Sequence, residues 1–249
     1  MRTTLLLLAA LAAPGAIRAQ TVAERVARAP DGMVRMSYAA REGVCGNGTS
    51  INMSDDHDKE WKSECEHGPV RVSFRKSGRV VSDMKVRVGG AWRSDAPPAT
   101  DLGFVPARAA ADYLLDLAAA GSGEGDQAIV GAQLADSSVV WPRLLAITKR
   151  KELPGKTRQS AVFWVSQAAG DQVVKAMGDI ASDATEDREL RTSAVFGLSR
   201  RPADESVPAL IRLSNSDRDP EIRRQAMFWL SRSNDPRAIA WFEKVLTAR

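Results

Sequence analysis

The chain has 249 residues, 44% of them hydrophobic and 27% charged, and a formal net charge of +4. That is enough apolar material for one or two packed cores, which excludes a disordered or low-complexity chain. Its basic residues, such as Lys149-Arg150-Lys151 and Arg200-Arg201, are interleaved with acids, so no one-sided basic stripe points to nucleic acid.

Residues 1–19 read as a secretory signal peptide. Arg2 gives a positive start, Leu5 to Ala13 is apolar, and Pro14-Gly15 precedes Ala16-Ile17-Arg18-Ala19, with cleavage expected after Ala19. The apolar run falls short of the roughly 20 residues a membrane anchor needs. Losing Arg2 and Arg18 lowers the net charge by two, to +2. No later run has that length and apolarity, so the mature chain is expected to be exported, periplasmic or secreted, with no transmembrane segment.

Residues 20–98 are expected to form a small β-containing module. Gln20 to Ala29 reads as a short helix ended by Pro30-Asp31-Gly32, and Met33 to Tyr38 as a candidate strand. Val70 to Phe74 and Val80 to Val88 alternate apolar and polar residues around the turn Lys76-Ser77-Gly78, which predicts a β-hairpin. Met84, Val86 and Val88 fall on one face of it, and Trp92 is expected to cap that apolar face. Cys45 and Cys65, the only cysteines, lie in this module with His57 and His67, the only histidines. Zinc is the competing reading, but this spacing matches no common zinc pattern. Two cysteines in an exported chain, with none left over, predict a disulfide closing the loop Gly46 to Glu64. Asp55-Asp56-His57-Asp58 lacks the spaced ligands and glycine of a calcium loop and reads as an acidic surface loop. No metal or cofactor is expected.

Ser94 to Thr100 is small, polar and proline-paired, which marks a domain boundary, with residues 99–105 as the linker. Residues 106–249 then turn helical. Ala107 to Ala119 sets Ala110, Tyr113, Leu114 and Leu117 on one face. Beyond it one stretch is written three times: Arg158-Gln-Ser-Ala-Val-Phe-Trp-Val-Ser166, Arg191-Thr-Ser-Ala-Val-Phe-Gly-Leu-Ser199 and Arg223-Arg-Gln-Ala-Met-Phe-Trp-Leu-Ser231, at spacings of 33 and 32. Asp126 to Leu134 is a weaker earlier copy. A second helix follows each copy: Trp141 to Ile147, Val174 to Ile180, Val207 to Leu213 and Ile239 to Val245. Asp219-Pro220-Glu221 is an N-cap, an N1 proline and a first-turn acid, and Asp187-Arg188-Glu189 holds the same place one repeat earlier. The pattern predicts about four helix pairs after a leading helix. The first helices, apolar nearly all round, are expected to be covered on most sides by their neighbours.

Asp219-Pro-Glu-Ile-Arg223, Asp187-Arg-Glu-Leu-Arg191 and the alanine opening each apolar core resemble a HEAT-repeat protein of the short-repeat bacterial kind. The resemblance covers residues 106–249 and implies a right-handed α-solenoid, so the expected class is α+β overall. It also implies a buried polar ladder between units, made by Asp187 and Asp219 with Arg158, Arg191 and Arg223. Pro154 stands where the earlier repeat would have its Asp.

No glycine-rich phosphate loop, His-Glu-x-x-His motif or Gly-x-Ser-x-Gly elbow occurs. The reading is therefore a non-catalytic scaffold with an unidentified protein partner and no nucleic acid. A lyase of the HEAT-like type, or recognition by the amino-terminal module with the repeats as spacer, are the alternatives. Trp164 and Trp229 occupy equivalent positions with Gly197 between them, and a groove beside Gly197, bordered by the two tryptophans, is expected as an interaction site.

Overall fold

The computed structural model describes residues 20–53, 65–92, 98–168 and 171–247. The leader 1–19, the acidic run Asp55 to Asp58 with His57, and Ser94 to Pro97 lie outside the described residues.

The fold opens on α1 (Val22–Arg28), started by a capping box in which Thr21 and Glu24 satisfy each other's backbone N–H groups. Six strands follow among the described residues: β1 (Gly32–Tyr38), β2 (Cys45–Gly46), β3 (Ile51–Asn52), β4 (Val70–Ser77), β5 (Val80–Val88) and β6 (Ala99–Phe104). Four of them make one sheet in the order β5-β4-β1-β6. β4 is antiparallel to both β5 and β1, and β6 joins parallel to β1. Alternation sends Val34, Met36 and Tyr38 of β1, and Val70, Val72 and Phe74 of β4, into the core from one face.

The hairpin carries a bulge that its pattern does not announce. Ser73 pairs with Lys85 but Arg75 pairs with Ser82, so Asp83 and Met84 together stand opposite Phe74. Asp83 takes up the extra residue in the left-handed region, at φ 52°. The slip brings Val81 into the core with Met84 and Val88, while Val86 is only half-buried. Trp92 does not cap this apolar face. It lies over the guanidinium groups of Arg35 and Arg71, 5.0 and 6.0 Å from its ring, on the solvent side of the sheet.

Residues 99–104 are not a linker but β6, which completes the sheet beside β1. Only Leu102 of this strand turns fully inward, which explains why Ala-Thr-Asp-Leu-Gly-Phe does not read as a strand. Cys45 and Cys65 are joined by a disulfide, tying β2 to the approach to β4. Backbone pairing of Gly46 with Glu66 runs alongside the bridge. Gly89, at φ 66°, closes this corner, since a Cβ there would stand 2.4 Å from the Gly46 carbonyl oxygen.

Nine helices follow among the described residues: α2 (Ala107–Ala119), α3 (Gly125–Gln133), α4 (Trp141–Thr148), α5 (Gly155–Ser166), α6 (Asp171–Ser182), α7 (Arg188–Ser199), α8 (Ala203–Ser216), α9 (Pro220–Ser231) and α10 (Pro236–Thr247). α3, α5, α7 and α9 stack in sequence as one layer, and α6, α8 and α10 form part of a second. Each of α5, α7 and α9 packs most closely on the helix before it, so the units are α2–α3, α4–α5, α6–α7 and α8–α9, with α10 trailing. The helix total matches the sequence pattern; the pairing is displaced by one helix.

The sheet is built onto the array. The buried Tyr38 hydroxyl donates to the Gly131 carbonyl of α3 at 2.8 Å. A Cβ on Gly131 would come within 2.9 Å of Leu114 and 3.1 Å of that hydroxyl, so this helix needs glycine for the sheet to approach. Glu124 accepts from the Asp83 and Met84 N–H groups at 2.9 and 3.1 Å, satisfying the donors the bulge exposes.

Candidate partner-binding face

The thrice-written stretch occupies α5, α7 and α9, and its opening arginine is the fourth residue of each helix. Arg158 is 2% exposed and donates from Nε and Nη2 to the Thr148 carbonyl that ends α4, at 3.0 and 2.7 Å. Arg191 donates from Nε to the Ala181 carbonyl near the end of α6, at 2.8 Å. Arg223 reaches the Asp217 and Arg218 carbonyls just past α8. The Arg158 and Arg191 guanidinium groups thus cap carbonyls at the negative end of the preceding helix dipole, and Arg223 binds the chain that leaves α8. That shared contact gives the closest pairing its phase.

The acids nearest the ladder arginines are not those the resemblance implies, although the implied ones remain within ion-pair range. Arg158 donates to Glu186 at 2.6 Å, and Arg191 makes two bonds of 2.7 Å to the buried Asp217. Asp187 and Asp219 stand farther off, each 3.7 Å from its arginine. Glu186 lies one residue before the cap position and Asp217 two, the longer glutamate reaching from the nearer place. Asp219 does cap α9, accepting from the Glu221 N–H at 2.9 Å, whereas Asp187 makes no such bond and is largely exposed. The Glu221 N–H and then Arg188, at 2.9 Å, hold the Asp219 carboxyl below its ordinary range.

The groove expected beside Gly197 is absent because that space is filled. Gly197 is buried, and a Cβ on it would lie 2.9 Å from Ser166 Cβ and 3.3 Å from the Met177 sulfur. The missing side chain allows α7 to close on α5 and α6. Trp164 is buried at 6% exposure, and Trp229 is half-buried against Phe196 at 5.3 Å and Phe228 at 5.0 Å.

The phenylalanines preceding those positions behave differently. Phe163 and Phe228 are 42% and 48% exposed, and Phe196 between them is half-buried. They are equivalent residues of successive stacked helices, so they form a row with a step of about 10 Å. Phe163 packs edge-on to Trp164, and the Arg232 guanidinium lies 5.7 Å from the Phe228 ring. The apolar run Ala161 to Val165 conceals this exposure. Projected on a helix, Phe163 shares its stripe with Lys156, Ser160 and Gln167, and Phe228 shares its own with Glu221, Arg224 and Arg232. An aromatic at the end of a polar stripe was the available signal.

On the second layer, a groove of about 680 Å³ runs between α6 and α8, with Gly178, Pro208 and Ala209 in its lining and Lys175, Asp179, Glu205 and Arg212 among its charged groups. Lys175 and Asp179 pair with each other at 2.8 Å. Among the described residues, His, Cys, Asp and Glu side chains nowhere gather in threes able to hold a metal. His67 Nδ1 lies 3.3 Å from the Val44 carbonyl oxygen.

Residues 174–249 match the family model for HEAT repeats, a span that begins within α6 and includes α7, α8, α9 and α10. HEAT repeats are typical of protein-interaction scaffolds. No curated protein matches the chain significantly.

Proposed function

We propose that the protein is an exported, non-catalytic scaffold that holds a partner protein along the row Phe163, Phe196 and Phe228. The observation carrying this is the exposure of Phe163 and Phe228 on stripes otherwise polar or charged. A large aromatic left in water gains little from folding, and aromatics are strong anchors in protein interfaces. The basic and polar groups Gln167, Arg200 and Arg232 at the end of each stripe would form the rim. Export is supported by the leader layout of residues 1–19 and by the disulfide, which persists in oxidising compartments. No helix among the described residues is long and apolar enough to cross a membrane.

The test replaces Phe163 and Phe228 with Ser together. Because both are exposed, stability is expected to change by less than about 1 kcal/mol. Loss of two anchors should weaken partner capture more than about tenfold. Capture from the native envelope fraction that is identical for the variant and the parent, with folding intact, would reject the aromatic row. Recognition by the amino-terminal module is addressed by point changes in the sheet. Deleting residues 20–98 would also strip Tyr38 from Gly131 and so damage α3.

A further inference from the structure

The solvent face of the sheet collects a charge pattern that the linear sequence disperses. Alternation places Arg35 of β1, Arg71 and Arg75 of β4, and Lys85 and Arg87 of β5 on the side opposite the core. The registers lay them side by side: Arg71 opposite Arg87, Ser73 opposite both Arg35 and Lys85. Among the described residues two acids answer them, Asp101 on Arg35 at 2.9 Å and Asp83 on Lys85 at 3.3 Å, which leaves three of these five cations without a carboxylate partner there. Arg75 and Lys85 are exposed, and Arg35, Arg71 and Arg87 half-buried.

Exposed apolar side chains flank this basic field on the same face. Val80, 66% exposed, stands opposite Ser77 on the edge strand β5. Phe104, 68% exposed, stands opposite Ser37 on the other edge strand, β6. Trp92 lies between, stacked on the guanidinium groups of Arg35 and Arg71. Four strands span about 15 Å, which makes the charged face broad rather than a single row.

We infer that this face docks on an anionic lipid bilayer. A flat array of cations complements a flat array of headgroup phosphates, each basic residue near such a surface adding to the attraction. Phe104 and Val80, which a soluble acidic chain would leave in water, enter the apolar boundary beneath the headgroups. Trp92 sits at the depth where an amphipathic ring is favoured. The inference stands apart from the aromatic row of the array, since neither surface shares a residue with the other.

Co-sedimentation with vesicles tests it, using the chain from Gln20 onward, which contains every element described above and lacks the apolar run Leu5 to Ala13 that would itself partition. Vesicles of phosphatidylcholine mixed with phosphatidylglycerol should retain the protein, pure phosphatidylcholine should not, and added salt should release it. Arg75→Ser combined with Arg87→Ser should lower partitioning about 30-fold, with Lys85→Ser as a milder second variant at about fivefold. Phe104→Ser with Val80→Ser should lower it about tenfold at fixed salt. No retention on the anionic vesicles, equal retention on neutral ones, or capture of soluble polyglutamate without vesicle retention would each overturn the inference.

Discussion

Arg191 concentrates the chemistry of the array in one side chain. Its guanidinium is 5% exposed, donates to a helix-ending carbonyl on one side and holds the Asp217 carboxylate on the other. Asp217 accepts in addition from the Asp219 N–H at 2.9 Å, so the pair is hydrogen-bonded as a buried pair must be. Replacing Arg191 with Ala should leave a carboxylate uncompensated and cost about 3–5 kcal/mol in urea unfolding. Arg191→Met combined with Asp217→Leu should regain most of that loss, because an apolar pair carries no charge to strand. Gly197 poses the opposite problem, that of an atom too many. The nearest neighbour of an added Cβ is Ser166 Cβ, fixed to the α5 backbone, so Gly197→Ala should destabilise by about 1–3 kcal/mol despite the better helix propensity of alanine. An unchanged thermal midpoint for this variant would mean that α5 and α7 separate freely.

At the level of elements, the disulfide reinforces the backbone pairing of Gly46 with Glu66 that holds β2 near the approach to β4. Cys45 and Cys65 are 20 residues apart, and their bridge should contribute about 3 kcal/mol. Cys45→Ser should lower the denaturation midpoint, and reducing agent should do the same to the parent but nothing further to the variant. How far these elements were legible depended on whether their signals are local. The arms of the β4–β5 hairpin, the α1 helix and the thrice-written helices carry their periodicity within themselves, and they stand where the residues place them. β6 does not: its partner β1 lies more than 60 residues earlier, and with Leu102 as its one fully inward side chain it offers almost no pattern. The bulge at Asp83 was hidden for a related reason, since its freed N–H groups are satisfied by Glu124, a residue of the following domain. The exposed phenylalanines were hidden by counting: Ala-Val-Phe-Trp-Val is an apolar string in sequence, but Phe163 lies seven residues from Lys156 and so on the same side of the helix. The ladder arginines were recognisable by their fixed place, whereas the acids bound most closely to them, Glu186 and Asp217, shift by a residue between repeats and escaped.

Across the whole molecule, carboxylates held below their ordinary range recur from end to end. Lys76 and the Gly78 N–H act on Asp31 in the sheet, Thr185 acts on Asp183, Glu221 N–H and Arg188 act on Asp219, and Arg237 takes Asp235 down to about 2. A carboxyl whose folded value lies below its unfolded one stabilises fully above the unfolded value and loses that contribution as pH falls through the folded one. The thermal midpoint should therefore be level above about pH 5 and fall steadily from about pH 4 to pH 2. A midpoint that held constant down to pH 2 would contradict these interactions as stabilising ones. Sheet and array should melt together, because Tyr38, Glu124 and Gly131 join them through buried or partly buried bonds. That junction has a consequence for ancestry. α3 packs on both β5 and α5, so the sheet occupies a surface where an added helix pair would otherwise stack. Duplication of repeat units in such a lineage can lengthen the stack between existing pairs or beyond α10, but not ahead of α2 without displacing the sheet.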